Sequence, residues 1–180
     1  TLAAGLVVGQ IPEWQLHLPK DVMMTDAADY LKPLMHVPTQ SGAWMAIVGQ
    51  NGGILLAALI LSLFTFGTAA LILTPAVYFI LGYLFTQVVA AGYNPAFMLA
   101  AVLTHGVVEI PVIVLAAAAA LRMGAIVTKP PRGITVGQAW SMALGDTFKI
   151  ALGLVIPGLV IAGFIEAFIT PMVVVKVLGG

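Results

Sequence analysis

His105 and Glu109 stand four residues apart in the run Leu103-Thr104-His105-Gly106-Val107-Val108-Glu109-Ile110-Pro111. On a helix this spacing puts an imidazole and a carboxyl on one face, one turn apart. Such a pair can hold a hydrogen bond, pass a proton or offer two ligands to a metal ion. The surroundings narrow the choice. Glu109 is the only charged residue between positions 33 and 121. A hydrocarbon core about 30 Å thick takes about 20 apolar residues per helix, so this stretch alone holds three crossings. The pair then lies near the bilayer midplane, where insertion scales charge an acidic residue about 2.5–3.5 kcal/mol. Residues carrying that cost face a bundle interior or a water-filled cavity.

Four readings of the pair follow. It is a structural hydrogen-bonded unit that fixes helix register, with Asn51 or Gln87 as further partners. It is a proton or ion relay. It is part of a metal site, for which a catalytic zinc needs three ligands and only Glu166, His17 or His36 offers the third. Or it recognises the transmembrane segment of a partner. Glu166 is the other acid of the apolar segments, ten residues before Lys176, and is expected in the outer half of the last crossing. The candidate polar cluster is therefore His105, Glu109, Asn51 and Glu166. No catalytic residue, no cofactor and no metal is assigned.

The elements that must position these groups are helices. Of 180 residues, 61% are hydrophobic and 8% charged, against about 25% charged in soluble domains. The expected fold is all-α, a polytopic transmembrane bundle. Thr1–Gly9 is apolar and reads as the end of a first membrane helix, within 1–10, whose beginning lies upstream. Residues 11–42 form an extramembrane loop rich in proline, which discourages long helices. A short helix is expected at Asp26–Lys32, and Trp14 and Tyr30 are expected at the headgroup level.

Three full crossings follow within 43–122, from about Ala43 to Gly67, Thr68 to Gly92 and Ala96 to Arg122, with Tyr93-Asn94-Pro95 as a turn. Gly49, Gly52 and Gly53 place small residues where another helix can approach closely, and Gly106 leaves the backbone beside His105 open in the same way. In 123–146, Thr128-Lys129-Pro130-Pro131-Arg132-Gly133 reads as loop. Thr135 and Gln138 then fit a capping box. Val136, Ala139, Trp140, Ala143 and Leu144 form one apolar face. That segment is either an interfacial helix or an extension of the last crossing. The last crossing spans 147–176, with Pro157 as its expected kink.

Charge sets the orientation and excludes other classes. Lysine plus arginine is 7 and aspartate plus glutamate is 7, so no basic excess points to nucleic acid. With no cysteine there is no disulfide, thiolate metal site or cysteine nucleophile. Residues 122–149 carry four basic residues against two in 11–42. The positive-inside rule puts 123–146 in the cytoplasm and 11–42 outside, and three crossings between them give the same answer by parity. No phosphate loop, HExxH, nucleophile elbow or Rossmann glycine pattern occurs. Nothing in the sequence argues for an enzyme.

The run His105-Gly106-Val107-Val108-Glu109-Ile110-Pro111, followed by an alanine-rich helix into Leu121-Arg122-Met123-Gly124, resembles the stage II sporulation protein M family of integral membrane proteins. Asn51 and the glycine-rich crossing that holds it also fit. The sequence departs from the family pattern at Leu73-Thr74-Pro75-Ala76, where Asn-Gly is usual, and at Ala120, where glycine is usual. The resemblance implies a membrane protein that assembles with others. In spore formers the family's namesake anchors peptidoglycan-degrading partners without being the hydrolase.

The expected function is a non-catalytic plasma-membrane subunit that anchors or organises a multi-protein assembly, with membrane proteins, the bilayer and self-association as its contacts. The alternative is a small transporter or ion- or proton-conducting protein using His105 and Glu109. Topology is directly testable. Single cysteines at Lys20 and Arg132 in this cysteine-free chain should react with an impermeant thiol reagent from opposite sides of the membrane, Lys20 from outside. Reaction of both from one side would overturn the helix count.

Overall fold

The computed structural model describes residues 1–16, 39–92 and 94–178. Among them there is no strand. The helix expected at Asp26–Lys32, Tyr30 and Tyr93, and His17 and His36 lie outside the described residues. The elements are α1 (Leu2–Val8), a 3-10 turn (Pro12–Trp14), α2 (Gln40–Phe64), α3 (Thr68–Ala90), α4 (Pro95–Thr128) and α5 (Val136–Ile150). A π-helical turn (Ala151–Val155), α6 (Ile156–Phe164), a second π turn (Ile165–Ile169) and α7 (Thr170–Leu178) continue α5 without a loop. Four helical stretches are long and apolar enough to cross a membrane: Gln40–Phe64, Thr68–Ala90, Met98–Thr128 and Val136–Val177. The protein is a helical multi-pass membrane protein. The seven residues of α1 rise about 10 Å, a third of a crossing, so a fifth span is not shown.

Each helix starts and stops for local reasons. Thr39 caps α2, its hydroxyl accepting from the Gly42 amide at 3.1 Å. Asn94 caps α4 by accepting from the Ala96 amide at 2.9 Å, and Pro95 takes the first helical position, where its missing donor costs nothing. The capping box of α5 forms as expected, with Thr135 and Gln138 exchanging side-chain and backbone bonds. Between α2 and α3 the chain reverses through Phe66 (φ 51) and Gly67 (φ 81), both left-handed. The Gly67 amide donates to Ser62 O at 2.8 Å, satisfying a carbonyl left free at the helix end.

Helix contacts run through small residues, the expected mode where lipid tails remove the hydrophobic drive. The α2–α3 turn sits on α4: a Cβ at Gly124 would strike the Phe66 carbonyl, and one at Gly67 would meet Ala120 O. α1 crosses α3 backbone to backbone, with Gly5 against Phe79 and Gly82 against Leu2. Ala116, Val155 and Leu159 form one buried cluster, and Met123, Val127 and Ala143 another. Trp44 donates to Val160 O at 3.1 Å and meets Phe164 edge-on at 6.2 Å, tying α2 to α6.

One boundary differs clearly from expectation, and two neighbouring features take definite form. α4 continues six residues past Arg122, because the apolar turn Met123–Val127 packs on α5. The arginine ends no helix; it reaches across to Asp146, Nη1 to Oδ2 at 2.8 Å, with Lys149 Nζ 3.7 Å from the other oxygen. The segment after Thr135 is helical, and α5 runs into the last crossing without a loop. Pro157, the expected kink, follows the π turn Ala151–Val155, where widened backbone accommodates the proline's missing donor.

Candidate functional site

Two helices meet at mid-length to build the polar cluster. Asn51 is the twelfth of the 25 residues of α2, and Glu109 the fifteenth of the 34 of α4. The Asn51 Nδ2 donates to Glu109 Oε1 at 3.1 Å. The His105 Nε2 lies 3.6 Å from Glu109 Oε2, one helical turn away. The His105 and Glu109 side chains are largely enclosed, 17% and 20% exposed. Three of the four predicted residues are thus together.

Glu166 lies on the π turn Ile165–Ile169, half-buried, in a segment that packs against both α2 and α4. Gln87, weighed as a partner of the pair, serves elsewhere. Its Nε2 donates to Gly9 O at 3.0 Å and its Oε1 accepts from the Leu16 amide at 2.8 Å, holding the chain after α1 against α3. Tyr83 adds a bond to Trp14 O at 2.5 Å. Among the described residues no other helix packs on Gly106: a Cβ there would meet Ile110 of its own helix, at 3.6 Å. The close approaches on α4 occur at Gly124, and at Val112 beneath Gly158.

Among the described residues, three buried polar atoms have no hydrogen-bond partner: His105 Nδ1, Tyr78 Oη and Thr170 Oγ1. Sequence reasoning did not single out Tyr78, which has no charged residue near it in the sequence, or Thr170, although Glu166 stands one helical turn before it. Among the described residues no group of three His, Asp or Glu side chains is placed to hold a metal ion.

A cavity of about 600 Å³ opens beside the pair, bounded by α2, α3 and α4, with Leu159 of α6 at its wall. Asn51 and Glu109 lie at one end and Ser62, Ala70 and Ala120 at the other. Of its nineteen lining residues, only Asn51, Ser62, Thr74 and Glu109 are polar. The arrangement is chemically conservative. A carboxyl with one amide donor and one neighbouring imidazole can keep a proton or a hydrogen bond.

The fold and the buried pair define the class: a helical multi-pass membrane protein with a polar contact, Asn51 to Glu109, at mid-length between two of its spans. The family model for stage II sporulation protein M matches residues 2–171, and the chain belongs to that family. No curated protein and no solved structure matches it.

Proposed function

We propose that the chain is a non-catalytic plasma-membrane subunit that anchors or organises a multi-protein membrane assembly, with 11–42 outside and 123–146 in the cytoplasm. The observation that carries this reading is the outer face of α2. Among the described residues, nothing lies within 4 Å of a Cβ built at Gly49, Gly52 or Gly53. Gln50, between them, is exposed near the middle of an apolar span. Small residues four apart let a second helix approach closely, and an amide in hydrocarbon gains from a partner. Family membership supports the same reading, since the namesake acts within an assembly.

Conduction through His105 and Glu109 is the competing reading, and the unpartnered His105 Nδ1 is its best support. The space leading away from the pair argues against it. That cavity is walled by fifteen apolar residues, which do not hold a water file.

The test compares the parent with a Gly49→Leu, Gly53→Leu double variant, each purified from native membranes. The parent should retain partner chains, and the variant should lose them at least tenfold with unchanged thermal unfolding. A parent that purifies alone and carries proton flux in liposomes, abolished by Glu109→Gln, would reverse the assignment.

A further inference from the structure

The cavity between α2, α3 and α4 has the depth of one leaflet. Its α2 lining runs from Asn51 to Ser62, eleven residues, or roughly 16 Å at the helical rise. A bilayer core of about 30 Å is twice that. The deep end needs no polar guest, because Glu109 already takes the Asn51 amide and faces His105. The shallow end is where polar groups gather: the Thr65 and Thr68 hydroxyls of the reversal, and the Arg122–Asp146–Lys149 cluster beyond it. Between the ends, alanines at 57, 58 and 117 leave the space open. An apolar void left empty forfeits dispersion contacts along its whole wall.

We propose that this cavity is a lipid-chain site, holding a hydrocarbon chain of a phospholipid from the leaflet on the Gly67 side. The chain enters sideways from the bilayer over the exposed lining residues Leu61 and Leu73, passes the buried Ser62 and Ala120 beneath the α2–α3 turn, and its methyl end stops beneath the Asn51–Glu109 contact. A partner's transmembrane helix does not fit the same space, because it needs a groove across both leaflets. Beyond Asn51, α2 is already covered by α6: Gly163 lies against Ile47 and Val48, and Trp44 bonds Val160 O. This site is distinct from the glycine face of α2, so either assignment can fail without the other.

The experiment uses the whole chain in phosphatidylcholine–phosphatidylglycerol vesicles doped with a diazirine-bearing phosphatidylcholine. A diazirine near the ester should label the buried residues 62 and 120, and one at the chain terminus should label 55 and 112–113. Ala58→Leu with Ala117→Leu fills the cavity and should cut both labellings at least fivefold. Labelling at Ile72 and Val107, which face lipid (70% and 72% exposed), should stay constant. Ala117→Leu alone should give a partial loss if the double variant does not fold. Cavity labelling that ignores the filling substitutions would overturn the site. So would a photoreactive group at Ala58 that, in native membranes, captures a polypeptide instead of a lipid.

Discussion

Replacing Gly124 by leucine should unfold the bundle at temperatures the parent survives, with a loss of about 3 kcal/mol or more. Overpacking a core position ordinarily costs about 1–3 kcal/mol, when side chains can shift. Here the obstacle is backbone. A Cβ at Gly124 would overlap the Phe66 carbonyl oxygen and press on the Gly67 amide. That turn cannot slide away. The Gly67 amide is committed to Ser62 O at 2.8 Å, and both Phe66 and Gly67 hold left-handed backbone. A larger side chain therefore prises α2 and α3 off α4, opening the cavity wall and the α4–α5 contact together. Gly137→Leu is the control, because among the described residues nothing lies within 4 Å of a Cβ built there. Thermal unfolding in detergent, followed by tryptophan fluorescence, should show a large drop for Gly124→Leu and almost none for Gly137→Leu. Equal midpoints would refute the backbone contact.

Glu109→Leu should destabilise the bundle by about 1–3 kcal/mol, the cost of leaving a buried group unsatisfied. Two groups lose their partner at once, the Asn51 amide and the His105 ring. Interhelical hydrogen bonds in membranes average only about 0.6 kcal/mol, so the lower half of that range is expected. Glu109→Gln keeps an oxygen for Asn51 and removes only the ionisable proton, so it should stay within about 1 kcal/mol of the parent. If the pair is structural, partner retention follows stability: kept in the Gln variant, weakened in the Leu variant. Proton flux in the parent that vanishes in Glu109→Gln, with folding intact, would make the pair a relay instead.

Much of the architecture was legible because hydropathy is a one-dimensional property. The long interval without charge between Lys32 and Glu109 requires several crossings, and α2, α3 and α4 fill it within a few residues of expectation. The capping box at Thr135 was legible too, since its two members are three residues apart and satisfy each other locally. So was the His105–Glu109 pair, which helical spacing alone brings together. Boundaries failed where a contact from another helix extended an element: Met123 and Val127 keep α4 helical by packing on Ala143, a residue twenty positions later.

By itself, then, the sequence determined the number of complete spans, the class of fold, the family and the one-turn pairing on α4. All of these follow from composition, local periodicity or a contiguous motif. Tertiary structure decided which polar groups meet. Asn51 and Gln87 looked equivalent as partners for Glu109, yet Asn51 bonds it and Gln87 holds Gly9 and Leu16. It also decided which glycines touch a neighbour, Gly124 and Gly82, and which face outward, Gly49 and Gly53. The physical reason is rotation. A helix that is apolar all round has no hydrophobic stripe to fix which face turns inward, so that choice is made only by the fit of helix against helix.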